Sequence, residues 1–452
     1  MKELVNRLVT DITRAWQVDE TLKGGQWRVV SLTLPCASTP ALDSVLEWNT
    51  GVQAVYSAEP VTRMERVGLG AAAVVQGFGS DAMGVVRTEM NAARLPSGST
   101  WFGGFAFDPT IEPRGIWQGW PHAMWFVPKL LLVRAFDSDV VRVSYIDKAG
   151  QTVEDITASL KGMLRPAAST HMSEIRFDAS TTLESNDVIH DEETWAAVVN
   201  RALVDIRAGR MDKVVLGRQA RMTVTATLSD SLSRLRNAYE TSHVFAMHWN
   251  GVWMLGASPE ELVRAGGGAI TVDCLAGTTA RGIDAETDRQ LAKALLTSEK
   301  NRSEHGAVVR FVTERLRLVA NELEWPDVPT IKQLANVQHL YTPVRGRLQN
   351  GKQLLDAAAL LHPTPAVGGT PRADALTFIR EHEGWPRGFY AGGFGLIDGT
   401  GNGLVNVALR TAAVRFPEAR LFAGCGIVDG SRPADEWLET EMKLKPMRMA
   451  LQ

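Results

Sequence analysis

Carboxylates at helical spacing are the first residues in this chain with the makings of chemistry. Glu436 and Glu439 lie three positions apart in DEWLETEMK, so on a helix they share a face. Glu304 lies in SEKNRSEH, within a segment of helical apolar spacing. Oxygen-only ligands suit Mg²⁺, which takes one or two carboxylates and completes its shell with water and substrate oxygens. Solvated glutamates paired with Lys or Arg are the other use of such residues. Anion-binding elements stand close by. Lys443 follows Glu439 by four positions, on the same helical face. In GLVNVALR, Val405, Val407 and Leu409 alternate with Asn406, Ala408 and Arg410, so the first set reads as core and Arg410 as facing the more open side. Gly424-Cys425-Gly426 leaves backbone N–H groups approachable by a carboxylate. An Arg, a Gly-rich turn and a Lys beside a carboxylate pair fit a dianionic substrate held partly through Mg²⁺. Singly, each also reads as a salt bridge or a turn.

Other chemistries find little support. There is no His-Glu-x-x-His, and the nine histidines are scattered, which argues against zinc. The three cysteines, Cys36, Cys274 and Cys425, form no C-x-x-C pair, and they suggest a reducing compartment. Gly399-Thr400-Gly401-Asn402-Gly403 joins two strand-like runs and reads as a hairpin turn, not a nucleotide loop. Gly256-Ala257-Ser258-Pro259-Glu260 lacks the G-x-S-x-G pattern, and Pro259 stands where a nucleophile elbow would start its helix.

The elements that must position these residues follow from periodicity. Residues 1–16 place Leu4, Leu8, Ile12 and Trp16 at four-residue spacing, an amphipathic helix. From 26 to about 150, WRVVSLTL, GVQAVYSA, GAAAVVQGFG, WFGGFAF and VVRVSYI read as short strands. Polar Arg165 to Glu192 reads as a linker. Residues 193–209 form a helix face through Trp195, Val199, Ala202 and Ile206, and the strand KVVLGRQARMTV follows. A long helix is expected from about Ala285 to Glu324, strands from 388 to 428, and a last helix near Ala434. Gly103-Gly104-Phe105 is echoed by Gly392-Gly393-Phe394, which leaves duplication and chance equally open. Strands in runs with helices grouped between them predict an α+β fold.

Composition sets the outer bounds. The chain has 452 residues, 45% hydrophobic and 22% charged, which excludes a disordered protein. With 48 Lys and Arg against 51 Asp and Glu, it offers no basic excess for nucleic acid. Met1 to Trp16 has no signal-peptide core, and no run of about 18 apolar residues occurs, so no membrane is expected and a cytoplasmic location is.

Seven segments in order, MDKVVLGR, LGASPEEL, LAGTTARG, SEKNRSEH, LHPTPAVGG, AGCGIVDGS and DEWLETEMKLKPM, resemble the chorismate-utilising enzymes. That family includes the isochorismate, salicylate, anthranilate and aminodeoxychorismate synthases. The motifs cover about residues 190–450, and WFGGFAFDP extends the resemblance to menaquinone-type isochorismate synthases. The resemblance implies large antiparallel sheets packed together with helices outside, as a single compact unit. Residues 1–185 would be a strand-rich region integral to it, and 186–452 the catalytic region. Length alone suggests about three domain-sized units, but motifs for one site run from Lys213 to Lys443 and require one.

Within the family, Lys213 matches the lysine that activates water in isochorismate and salicylate synthases. Ala276 lacks the amine of the aminodeoxychorismate enzymes. His362-Pro363-Thr364-Pro365-Ala366 resembles the isochorismate synthase word, although Val367-Gly368-Gly369 departs from the commoner Leu-Ser-Gly. The implied reaction is Mg²⁺-dependent conversion of chorismate to isochorismate, feeding menaquinone or siderophore synthesis; the long N-terminal region favours menaquinone. Lys213 would be the general base, its pKa lowered from about 10.4, and Glu260 the general acid, its pKa raised from about 4.3. Glu304 and Glu439 would ligate Mg²⁺ directly, with Glu436 close by. Arg410, Lys443 and Gly424 would hold the enolpyruvyl carboxylate, and Gly277, Thr278, His339, Tyr390 and Ala366 would line the pocket. The expected partner is chorismate, with downstream enzymes related by pathway only, and the expected state a monomer. A salicylate synthase, a non-catalytic chorismate-binding partner protein and a Mg²⁺-dependent hydrolase are the alternatives.

Overall fold

The computed structural model describes residues 2–17, 26–35, 41–47, 51–96, 98–164, 191–333 and 337–452. In chain order its strands are β1 (Trp27–Pro35), β2 (Ala54–Glu59), β3 (Met64–Leu69), β4 (Ala73–Gly77), β5 (Thr100–Phe105), β6 (Ala123–Val127), β7 (Leu130–Ala135) and β8 (Val140–Lys148). There follow β9 (Lys213–Thr223), β10 (His243–Trp249), β11 (Val252–Ser258), β12 (Glu261–Gly266), β13 (Ala269–Ala280), β14 (Ala320–Glu324), β15 (Thr330–Gln333) and β16 (Val337–Leu348). The last are β17 (Gly369–Thr370), β18 (Gly393–Asp398), β19 (Gly403–Val407), β20 (Thr411–Arg415) and β21 (Glu418–Ile427). The helices are α1 (Lys2–Gln17), α2 (Ala82–Ala92), α3 (Val153–Met163), α4 (Glu192–Arg207), α5 (Leu228–Ala238), α6 (Ala285–Thr297), α7 (Glu299–Leu316), α8 (Leu354–Leu361), α9 (Arg372–His382) and α10 (Pro433–Leu451).

The strands form two antiparallel sheets. An 11-stranded sheet runs β1-β8-β7-β3-β2-β10-β11-β20-β21-β9-β17. A 10-stranded sheet runs β14-β16-β13-β12-β19-β18-β5-β6-β4, with β15 paired to β16. Period-two alternation explains why they stack. In the first sheet Val55, Phe245, Met247 and Met254 join one core with Phe102, Val263 and Phe394 of the second. The alternate residues Tyr56, Val244, Ala246 and Leu255 join a second core with Leu8 and Ile12 of α1, Leu160 of α3, Leu232 of α5 and Leu444 of α10. Phe245 stacks on Phe394 across the sheets, with ring centroids 4.2 Å apart. The expected α+β architecture of large packed antiparallel sheets with helices outside is the one observed.

Three local readings change. The helix expected over 285–324 is two helices and a strand. Its extended break is Ser298 (ψ 112°), whose hydroxyl caps α7 by accepting the Asn301 N–H, and 320–324 is β14. Second, β19 ends at Val407, and Arg410 has φ 52°, so it is not a strand residue facing away from the core; Asn406 and Ala408 are buried along with Val405 and Val407. Third, the two Gly-Gly-Phe segments are antiparallel neighbours: β5 pairs with β18. The linker read at Arg165 to Glu192 lies, up to residue 190, outside the described residues, as do Cys36 and the side chain of Leu4. Among the described residues no helix is long and apolar enough to cross a membrane.

Candidate active site

Lys213 opens β9, between β17 and β21. Thr370 pairs with Lys213 on one side, and Ile427 pairs with the next residue, Val214, on the other. The Lys213 side chain lies over Gly426, where a Cβ would come within 2.6 Å of its Cε and 3.3 Å of its Nζ. Gly426 therefore makes room for the amine. β17 is only two residues long, so the Gly217 N–H turns elsewhere and donates to Glu383 Oε1 at 2.6 Å. Glu383 is ion-paired with Arg387, and the two side chains are 2% and 3% exposed. Arg387 also donates to the carbonyls of Val215, at 2.6 Å, and Val367, at 3.0 Å. The strand bearing Lys213 is thus tied to the loop bearing Ala366, which is itself exposed.

Glu260 follows β11. The Ser258 hydroxyl donates to the Val407 carbonyl at 2.5 Å and accepts the Glu260 N–H at 3.2 Å. The Val407 N–H donates to the Glu260 carbonyl at 3.0 Å. Burial raises the Glu260 carboxyl above its ordinary value of 4.5, against the opposing pull of Arg410, Lys213 and Lys443. These three named cations therefore share the field of one carboxyl group that favours its proton, as a general acid requires.

Arg410 reaches this group from its left-handed turn, held by the Ala257 N–H donating to its carbonyl at 3.2 Å. Burial lowers the pKa of the guanidinium, while Tyr390, Glu260, Tyr239 and Glu439 favour its charge. Tyr390 is buried in a stack with Trp385 and Phe422, and burial drives its hydroxyl far above the ordinary tyrosine range. A Cβ on Gly424 would meet that hydroxyl at 2.9 Å and the Leu216 carbonyl at 2.6 Å. Gly424 lies beyond the end of β20, whose first residue, Thr411, pairs with Phe422. Its carbonyl accepts from Lys443 Nζ at 2.8 Å, and the same Nζ lies 2.6 Å from Glu439 Oε1.

Glu436 and Glu439 lie one turn apart on α10, both partly open to solvent. The Cys425 thiol donates to the Glu436 carbonyl at 3.8 Å, and burial, with Glu436 beside it, pushes the thiol pKa up. Glu304 is exposed on α7. Among the described residues no group of three or more His, Cys, Asp or Glu is gathered as a metal site. The pocket-lining candidates of the second sheet form their own cluster. Gly277 (φ 72°) breaks the β13–β16 register, and a Cβ there would meet Asn301 of α7 at 3.1 Å. Thr278 Oγ1 lies 2.9 Å from His339 Nδ1, and burial lowers the His339 pKa.

Glu383 and Arg387 were not singled out by the sequence, and Ser258 entered only in a rejected nucleophile elbow. Ser258 stood within LGASPEEL, where position could have pointed to it. Glu383 and Arg387 lie outside every motif, and only the fold brings them to β9.

The family model for chorismate binding enzymes matches residues 16–452. The chain is 37% identical to "Isochorismate synthase MenF" of Bacillus subtilis, covering 78% of this chain and 75% of that protein. It is 40% identical to "Salicylate biosynthesis isochorismate synthase" of Pseudomonas aeruginosa, over 77% and 73%. The solved structure of MenF, the menaquinone-specific isochorismate synthase from Escherichia coli, superposes with a TM-score of 0.80 at 24% identity, over 99% of this chain and 100% of that one, and so shares the fold. With a family model spanning both sheets and relatives this similar over most of their length, the chain belongs to the chorismate-binding enzymes.

Proposed function

We propose that the protein is an isochorismate synthase. The observation that carries this reading is Glu260, its carboxyl held toward the protonated form in the field of Lys213, Arg410 and Lys443. In the proposed reaction water attacks ring C2 of chorismate and gives its proton to Lys213. The C1=C2 electron pair moves to C1=C6 and the C5=C6 pair to C4=C5. The C4 hydroxyl leaves with the proton of Glu260, as water. Arg410 and Lys443 offset the enolpyruvyl carboxylate, and Tyr390 bounds the pocket beside Gly424. The sequence resemblance and the relatives' names support this reading.

The carboxylates of α10 fit Mg²⁺ in kind: oxygen donors, one turn apart, open to solvent. Glu439 and Glu436, with water and substrate oxygens, would hold the ion, which would offset charge on the ring carboxylate; Glu304 of α7, the other ligand the resemblance implies, is not gathered with these two. The product would feed menaquinone synthesis, with siderophore synthesis the other outlet, in a cytoplasmic monomer.

Purified protein with Mg²⁺ and chorismate should give isochorismate without ammonia, read by chromatography. Salicylate and pyruvate as main products would instead make it a salicylate synthase. Lys213→Ala should fold and lose about 10²–10⁴-fold in turnover; full activity would end the base assignment.

A further inference from the structure

Lys443 has two calls on one charge. Its Nζ lies 2.6 Å from Glu439 Oε1 and 2.8 Å from the Gly424 carbonyl. The pair spans one helical turn, so it forms without any ligand. Both side chains stay accessible, at 27% and 45% exposure. A divalent cation taking Glu439 would meet an ammonium already at that carboxylate, and the two like charges repel. A substrate carboxylate at Lys443 would neutralise the repulsion.

We infer that Lys443 is a latch on Glu439, which weakens Mg²⁺ binding until the dianionic substrate engages the lysine. Lys443 is then a positioning residue that couples the two ligands, beyond its own contact with substrate. This rests on the function proposed above. Because linkage is reciprocal, metal and substrate each tighten the other by the same factor.

The test is calorimetric titration of Mg²⁺ into the full-length, metal-free chain carrying Lys213→Ala to stop turnover, with and without chorismate. Chorismate should tighten Mg²⁺ binding by about fivefold or more, the lower end for coupled sites. Adding Lys443→Met should tighten Mg²⁺ binding by a similar factor without chorismate and abolish the coupling. Lys443→Arg, which keeps the charge, should keep the weak substrate-free binding; it serves if the methionine variant does not fold, since tightening by arginine would also overturn the latch. Equal Mg²⁺ affinity with Lys and Met at 443 overturns the latch and leaves the proposed function standing. No Mg²⁺ binding to any variant, even with chorismate, overturns the metal assignment beneath both.

Discussion

Replacing Glu383 tests how the catalytic strand is held. Glu383 and Arg387 are 2% and 3% exposed, and Glu383 accepts the Gly217 N–H at 2.6 Å. Glu383→Ala strands a buried guanidinium, which costs about 3–5 kcal/mol. It also orphans the Gly217 N–H, worth up to about 1–3 kcal/mol more. An unfolding entropy of about 2.1 cal/mol/K per residue gives, over 452 residues, about 1 °C per kcal/mol. The expected fall in melting temperature is therefore about 3–8 °C, read by differential scanning calorimetry. Glu383→Leu with Arg387→Met removes both charges and should recover the ion-pair part of the loss. Turnover should fall in the single variant, because Arg387 holds the Val215 carbonyl two residues from Lys213. A Glu383→Ala melting temperature within about 1 °C of wild type would refute the reasoning.

Glu260→Gln should lose turnover yet gain stability relative to wild type as pH rises. A carboxyl raised in the fold from 4.5 gives stability present below 4.5 and lost as pH passes its raised value; melting curves across pH that stay parallel would count against burial of the carboxyl. His362 is pushed down to about 3 by burial from an ordinary 6.5, with its Nε2–H donating to the Phe107 carbonyl at 3.1 Å. Its contribution is present above 6.5 and lost as pH falls toward about 3, so His362→Gln should flatten the acid side of the stability profile. Gly426→Ala puts a methyl group 2.6 Å from Lys213 Cε; turnover should fall by up to about 10²-fold while the melting temperature barely moves, and full turnover would show that the amine has room to spare.

What the sequence revealed follows from the range of each signal. Short-range periodicity found α1, α4, β9 and strands toward both ends of the chain, because an apolar face repeats within one element, but it gave none of the strands β10 to β17 between His243 and Thr370. It failed at Ser298, where helical spacing continues on both sides of an extended residue and hides the break. It failed again at Arg410, since a left-handed φ at a non-glycine residue leaves no mark on the alternation around it. Most site residues stand in the ordered motifs, whereas Arg410, Tyr390 and His339 lie outside them and took their roles from the wider family resemblance. The structure brings Lys213, Glu260, Arg410, Tyr390, Gly424, Lys443 and Glu439 into one neighbourhood, and places Gly277, Thr278 and His339 together on the second sheet. The Glu383–Arg387 clamp was invisible because its partners, Gly217 and Val215, lie more than 160 residues away.

The Gly-Gly-Phe echo shows how a weak sequence signal can carry a packing reason. In the β5–β18 ladder Phe105 faces Gly393, and Phe394 faces Gly104. The Phe105 ring covers Gly393, a cross-strand arrangement that shields backbone a glycine leaves bare, whereas a Cβ on Gly104 would meet the Gly393 carbonyl at 2.1 Å and the Phe389 ring at 3.3 Å. A Cβ on Gly393 would lie 2.3 Å from the Phe105 ring, so neither partner of that pair can be enlarged alone. The repeat therefore has a physical cause in pairing, whatever its origin. It also reaches the site: Phe394 stacks on Phe245 of the other sheet, and β18 pairs with β19, whose Val407 takes the hydroxyl of Ser258 and donates to Glu260. The Phe105–Gly393 contact and the Phe394–Phe245 stack thus fix the strand on which the proposed acid depends. This is how residues near position 105 come to bear on chemistry assigned entirely to the chain beyond position 212.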